Sequence, residues 1–446
     1  MQPNIGIGGL NTAHDEYVST GFDCFSPPEV ESGIDKARSV TVTARPIASI
    51  NQSGPYNFHF EADPERSTNA ESLRFRGKMR ILKSDGSNLG GGENVSTVNN
   101  VYHAVLSNIK VKANQTGIYD PNNMANPYKS YMETHLSYSA AAKDTVLKSR
   151  GYFKDTADQF DSTAAANDGF TKRKALFAGS KWSYFNIYLH TDLCTLTRFL
   201  PPGISLDIEM ERTPDKFVLM TDLNLADYKI ELGDLRLTVE RYHPSEAVSE
   251  FYKANVAAGR KAILPIDRSV IKTYPVSSGK TDLSMYNFIT GNQLPDQVII
   301  GMVKASAYEG AKDENPFNFQ DFNLKEASLV VNGRHEPAEM YTLNTTDNDK
   351  ADCFADFLEN VGVGTDDREF GIGDEDYYGG SFFLVFDRTA DKCNRFHRHI
   401  PDSGTMDINL KLHAAKQYNI QVIVYATYSS DLEFDPKTLE VKKFLF

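Results

Sequence analysis

Cysteine is scarce in this 446-residue chain: Cys24, Cys194, Cys353 and Cys393 are the four, and no two stand in a C-x-x-C arrangement. Such usage excludes a disulfide framework and a cysteine zinc site, and makes a reducing compartment at synthesis the default. Long hydrophobic runs are missing too; stretches such as 298–300 fall far short of the roughly 20 residues a membrane-spanning helix needs. Positive charge is in the minority, with 47 Lys+Arg against 60 Asp+Glu and a formal net charge of −13. Counterion release from a nucleic acid demands clustered Lys and Arg, so binding by the whole surface is disfavoured. The stretch MQPNIGIGGLNTAHDEY has neither a basic start nor a continuous apolar core and is not expected to be a secretory signal. N-x-[ST] matches at Asn51, Asn94, Asn114 and Asn344 would matter only in a secretory protein.

Aromatic mass is what the chain has in quantity, with 27 Phe and 22 Tyr beside a single Trp. Hydrophobic residues at 40% and charged residues at 24% describe an ordinary globular protein with room for about two or three domains, and the aromatics favour pleated surfaces. Tyr56, Phe58 and Phe60 alternate with Asn57, His59 and Glu61. The same period runs through Ile204, Leu206, Ile208 and Met210, through Leu235, Leu237 and Val239, and through Ile408, Leu410, Leu412 and Ala414. Segments with one wet and one dry face predict antiparallel sheets packed as a sandwich. Ile208 and Leu410, each central in such a strand, are expected at comparable inward-facing positions. Helical spacing is local. Tyr128, Tyr131, Met132, His135 and Leu136 predict a helix within roughly 127–149, Ser245 and Gly259 bracket a second, and 349–360 predicts a third with Phe354 and Leu358 on one face.

An internal repeat lies in the order of elements rather than in identity. Segments 182–193, 204–212 and 228–242 of the first half correspond to 379–391, 406–415 and 418–432 of the second, and 107–117 and 327–336 each resemble a strand running into a turn. Each half offers about eight strands, enough for one antiparallel jelly roll. The expected fold is therefore all-β: two consecutive antiparallel eight-stranded jelly rolls, with a few short helices in connections. The expected division is an N-terminal arm over 1–50, a first jelly roll over 51–244, a linker helix over 245–262 and a second jelly roll over 263–446. Residues 1 to about 45 are expected to be an assembly arm outside either barrel, with Tyr17, Phe22 and Phe25 as scattered anchors.

Motifs that would carry chemistry are incomplete. His397 and His399 in FHRHI would share one side of a strand, as in a cupin-type metal pair, but the flanking glycine and glutamate of that pattern are absent. SSGKT (277–281) lacks the first glycine of a phosphate-binding loop, since Tyr274 stands there, and GIGG follows no predicted strand. The cluster Asp366, Asp367, Glu369, Asp374, Glu375 and Asp376 does not have calcium-loop spacing and reads as a solvated loop, with an adventitious cation site as the alternative. TKRKALFAGSK (171–181), with Lys172, Arg173 and Lys174, reads as a polar turn before a strand near Trp182. No G-x-S-x-G elbow is present. No catalytic, cofactor-binding or metal-binding residue is therefore assigned, and no cofactor is expected.

Seven blocks taken in order resemble the double jelly-roll major capsid proteins of Polinton (Maverick) elements and adintoviruses, in the lineage of adenovirus hexon and virophage coats. They are GPYNFHFEAD (54–63), VNNVYHAVLSNIKV (98–111), NPYKSYMETHLSY (126–138), KRKALFAGSK (172–181), NQLPDQVIIGMVKASAYEG (292–310), NPFNFQDFNLKEASLVVNGR (315–334) and YNIQVIVYATYSSDLEFD (418–435). The resemblance implies a non-enzymatic shell subunit, a homotrimer of pseudo-hexameric outline that meets neighbouring capsomers, penton and other minor capsid proteins. It also implies a place in an icosahedral virion after synthesis in a host cytoplasm, with no strong direct nucleic-acid binding. The rival class is a tandem β-sandwich carbohydrate-binding protein or enzyme, whose aromatics would serve as sugar-stacking platforms.

Overall fold

The computed structural model describes residues 33–121, 124–344, 351–362, 370–389, 392, 400 and 402–444. The first half holds β1 (Ile34–Ala44), β2 (Tyr56–Phe60), β3 (Ser67–Lys83), β4 (Leu106–Ala113), β5 (Thr116–Tyr119), β6 (Ser183–Tyr188), β7 (Leu206–Arg212) and β8 (Tyr228–Pro244). The second holds β9 (Ala262–Val276), β10 (Met285–Gly291), β11 (Gln297–Lys304), β12 (Leu324–Val331), β13 (Arg334–Thr342), β14 (Phe383–Asp387), β15 (Gly404–Leu412) and β16 (Ile420–Asp435). In the first half the sheets run β1-β8-β3-β6 and β2-β7-β4-β5; in the second they run β9-β16-β11-β14 and β10-β15-β12-β13. Adding eight to each label of the first pair yields the second pair. The same all-antiparallel strand permutation therefore occurs twice, which is a double jelly roll. Smaller additions are a pair between Val95–Thr97 and Leu219–Thr221, and a strand Glu440–Phe444 alongside the end of β16.

Alternation in sequence becomes alternation in burial. Tyr56, Phe58, Phe60, Leu206, Ile208, Met210, Met406, Ile408, Leu410 and Leu412 are all buried, and one hydrophobic cluster runs through both halves. Ala414 lies beyond β15 and is exposed. Ile208 and Leu410 both face inward, but they are one repeat out of step. Ile208 sits opposite Phe58 and Val111, while Ile408 sits opposite Met285 and Leu329, and Val111 and Leu329 each lie three residues before their hairpin turn. Ile408 is thus the counterpart of Ile208, and Leu410 that of Met210.

Residue-level repetition marks the duplication as well. Gly77 of β3 is registered against Phe185 of β6, and Gly301 of β11 against Phe383 of β14. A Cβ on Gly77 would lie 2.8 Å from the Phe185 ring, and one on Gly301 would lie 3.1 Å from Phe383 and 2.6 Å from Phe319. Each jelly roll thus leaves out one side chain so that an aromatic ring can cross the strand.

Four longer helices occupy connections: α1 (Ala125–Ser137), α2 (Asp168–Phe177), α3 (Glu246–Ala257) and α4 (Ala351–Val361). α1 stops well short of 149 because Tyr138 is extended (φ −100°, ψ 143°), after which Ser139 caps a separate turn, Ala140–Asp144. α3 ends at Gly259 (φ 74°) as expected, although Ser245 makes no side-chain cap hydrogen bond and no residue of the helix is buried. α4 buries Cys353, Phe357 and Val361, with Phe354 and Leu358 half-buried beside them.

The expected arm requires correction. Residues 34–44 are the edge strand β1, paired antiparallel with β8 from Ile34–Pro244 to Ala44–Leu237. Val40, Val42 and Ala44 alternate with threonines there, but an edge strand is mostly exposed and carries little apolar signal. Residues 1–32, with Tyr17, Phe22 and Phe25, lie outside the described residues.

Candidate functional site: the seam between the jelly rolls

Buried polar side chains concentrate where the connection from β5 to β6 meets the second jelly roll. The amide of α1 residue Asn126 donates to the carbonyls of His103 and Leu106, anchoring the helix start on the first barrel. One turn on, Lys129 and Glu133 project from the same face at i, i+4 spacing. Lys129 Nζ lies 2.6 Å from Asp192 Oδ1, 2.7 Å from Ser269 Oγ of β9 and 4.6 Å from the centre of the Tyr119 ring. Asp192 also accepts from the Ser269 N–H and hydroxyl, at 3.0 and 2.6 Å. Glu133 pairs with His190 Nδ1 at 2.6 Å and accepts from the Tyr425 hydroxyl of β16 at 2.7 Å. Burial is the largest influence and opposes the Lys129 charge, but Asp192, Tyr119 and Glu133 together outweigh it and raise the lysine pKa. Burial likewise disfavours the Glu133 carboxylate, but Lys129, His190 and Tyr425 together lower its pKa. A lysine held as ammonium is no nucleophile, and both Glu133 oxygens are occupied. The cluster works as an ionic clamp between barrels, even though a cleft of about 240 Å³ lined by Glu133, Tyr425 and Asp296 opens beside it.

A second cluster is built on α2. Asn167 caps the helix by accepting from the Phe170 N–H, and Arg173 turns inward with no side-chain exposure. Its guanidinium donates to the Thr97 and Phe153 carbonyls and to Asp155 Oδ1, at 2.8, 2.8 and 2.6 Å. From there the network crosses to the second half: Asn315 donates its side-chain amide to the Phe160 carbonyl and its N–H to Asp161. Burial raises the Asp161 pKa. Beside this network the rings of Tyr131 and Phe317 stack 4.3 Å apart.

A third cluster holds the segment after α4. Lys143 Nζ donates to the carbonyls of His135 and Phe370 at 2.6 and 2.7 Å, and burial lowers its pKa to about 7. Lys154 pairs with Asp376 at 2.6 Å and donates to the Gly371 carbonyl. His135 bridges the Tyr152 hydroxyl and Ser381 Oγ, and burial pushes its pKa well down, so it is neutral.

These placements revise several readings of the sequence. The basic run 171–181 is mostly a helix and not a polar turn: Arg173 is in the core, Lys172 pairs with Asp168, and Lys174 donates to Asn94. Asp374, Glu375 and Asp376 form the first turn of a short helix, Asp374–Tyr378, rather than a loop. Asp366, Asp367 and Glu369, the pair His397 and His399, and GIGG lie outside the described residues. SSGKT joins β9 to β10 and is followed by a strand, not by the helix a phosphate loop requires. Among the described residues no group of three or more His, Cys, Asp or Glu is placed to hold a metal ion, and no helix is long and apolar enough to cross a membrane. Lys129 and Glu133, which bond to the second barrel, fall in the block NPYKSYMETHLSY, and Arg173, which braces the connection beside the seam, falls in KRKALFAGSK.

A duplicated eight-strand order with a polar seam defines the double jelly-roll class. Known proteins agree in fold. Compared with a chain of the Sputnik virophage solved by cryo-electron microscopy, this chain has a TM-score of 0.61 at 10% identity, covering 98% of itself and 93% of that chain. Against the quasi-atomic model of the PBCV-1 virus capsid the values are 0.54 and 8%, over 94% and 99%. Against the mavirus major capsid protein they are 0.50 and 10%, over 100% and 97%. No family model matches the sequence. An uncharacterized Caenorhabditis elegans protein, F54H12.2, is 21% identical over 267 residues, which are 59% of this chain and only 61% of that protein.

Proposed function

We propose that this chain is a structural major capsid protein of the Polinton (Maverick)/adintovirus type, forming homotrimeric, pseudo-hexameric capsomers that tile an icosahedral shell. The observation that carries this reading is the strand permutation repeated in both halves, shared over nearly the whole chain with proteins of virus particles. Two similar barrels per chain let a threefold ring imitate sixfold symmetry, and closed heterologous contacts hold such a ring together. Its partners are then further copies, neighbouring capsomers, penton and other minor capsid proteins. Its place is the virion after synthesis in a host cytoplasm, and its role needs no enzymatic chemistry. A net charge of −13 gives no strong direct hold on DNA. The carbohydrate-binding alternative takes the strand aromatics as platforms, but Tyr56, Phe58, Phe60, Phe75 and Phe185 are buried in the core, and of the outward rings near β6 Tyr184 alone is largely exposed. Light scattering of the purified protein should give three times the 49.8 kDa chain mass, and electron microscopy should show capsomers or shells. A stable monomer at micromolar concentration overturns the proposal.

A further inference from the structure

The two barrels treat the same sheet differently. In the second, β11 is buried on both faces along nearly its whole length. Elements of the first half lie over this sheet, with Glu133 meeting Tyr425 and Asp192 meeting Ser269. In the first barrel the corresponding sheet keeps its outer face open. Phe75, Gly77, Met79 and Ile81 point to the core, so Arg74, Arg76, Lys78 and Arg80 form a row on the outside of β3. Trp182, Tyr184 and Tyr188 stand beside them at β6. Arg80 and Lys78 lie 4.4 and 4.6 Å from the centre of the Trp182 ring, Arg74 lies 4.8 Å from that of Tyr188, and Tyr184 is 70% exposed.

Glu240 and Glu231 pair with Arg74 and Arg80. Among the described residues Arg76 and Lys78 have no ion-pair partner, and Arg76 Nε has no hydrogen-bond partner. Arginine, tryptophan and tyrosine are the residue types that dominate binding hot spots, and here the ring contacts hold them in place beforehand. An open, ordered, cationic face on a chain of net charge −13 is matched by the anionic parts of that same chain.

We propose that this face receives a second copy of the chain, through the connection between β13 and β14 of that copy's second jelly roll. The described part of that connection, 343–344, 351–362 and 370–382, carries Asp352, Asp356, Glu359, Asp374 and Glu375, besides Asp376 that is already paired with Lys154, and no Lys or Arg. It is the topological counterpart of the β5–β6 connection, which within one chain already covers the equivalent sheet of the other barrel. Repeating that head-to-tail relation from chain to chain makes a heterologous contact that can close into a ring. The inference rests on the capsid reading and adds the surface by which copies meet.

The test is sedimentation velocity of the full chain over a concentration series, beside Arg76→Glu/Lys78→Glu and, as a variant at an exposed position, Tyr184→Ser. Each charge reversal should weaken self-association by about tenfold or more. Tyr184→Ser should weaken it without changing the circular dichroism spectrum, and adding Asp352→Lys/Glu359→Lys to the double reversal should restore association. If the wild type assembles and the reversals assemble equally well, this face is not the contact, while the capsid reading stands. A folded, monomeric wild type overturns both. If the reversals instead remove salt-dependent binding of single-stranded oligo-dT and leave assembly intact, the face is a nucleic-acid platform and the proposal fails.

Discussion

Arg173 shows how one residue can mislead a sequence reading and yet brace, from inside the first half, the connection that carries the seam. Its neighbours Lys172 and Lys174 are basic and polar contacts surround it, so the run resembles a surface patch; only the fold places its side chain at zero exposure between two carbonyls and Asp155. Removing one partner of a buried ion pair leaves the other charged and dry. Arg173→Met should therefore destabilise the protein by about 3–5 kcal/mol, whereas Lys172→Ala, which loses an exposed pair with Asp168, should cost about 0–1 kcal/mol. Denaturant midpoints of the two variants check this difference. Lys143 offers a pH-dependent counterpart. Its pKa falls from 10.5 to about 7 through burial, so between those values the unfolded chain binds more protons than the folded one. Stability contributed by this residue accordingly rises with pH in that window, by at most about 1.4 kcal/mol per unit. Denaturation at pH 7.0 and about pH 8.5 should show the rise in the wild type, and Lys143→Met should flatten it.

At the scale of elements, what could be read from sequence was whatever depends on neighbours in the chain. The period-2 strands β2, β7, β8 and β15 announce themselves because their burial follows spacing, and the helix that Ser245 and Gly259 bracket does so through its bounds, since none of its residues is buried. The seam does not, because its partners are distant: Lys129 reaches Ser269 and His135 reaches Ser381, 140 and 246 residues away. The one local trace was the i, i+4 pair Lys129 and Glu133, which resembles any solvated helix face until Asp192 and Tyr425 are brought to it. The β4–β5 and β12–β13 hairpins turn through Asn114-Gln115 and Asn332-Gly333, and all four residues have positive φ. Such two-residue turns suit Asn-Gly, which the second hairpin has and the first lacks. Gln115, exposed at φ 70°, carries the strain of a side chain in the left-handed region. Gln115→Gly should therefore stabilise the first barrel by about 0.5–1 kcal/mol, seen as a higher thermal midpoint.

For the whole molecule, what the first barrel needs in order to fold begins at a definable position in the N-terminal region. β1 covers one edge of β8 with a ladder running from Ile34 to Ala44, and Ala44 reaches the core. Cutting the chain at residue 45 would strip that ladder and leave β8 with a long row of unpaired backbone groups, the arrangement that invites edge-to-edge aggregation. Cutting at residue 32 leaves β1 whole. A chain of 33–446 should keep the wild-type circular dichroism spectrum and thermal midpoint and still form capsomers, whereas a chain of 46–446 should aggregate on expression. Both barrels and the seam lie beyond residue 32, so on the capsid reading proposed above the part assigned to 1–32 is assembly rather than folding. The shorter truncation should therefore yield trimers that build shells poorly in electron micrographs. Shells formed as readily as by the full chain would remove the assembly role from 1–32, and a soluble, folded 46–446 would show that β1 is dispensable to the barrel it borders.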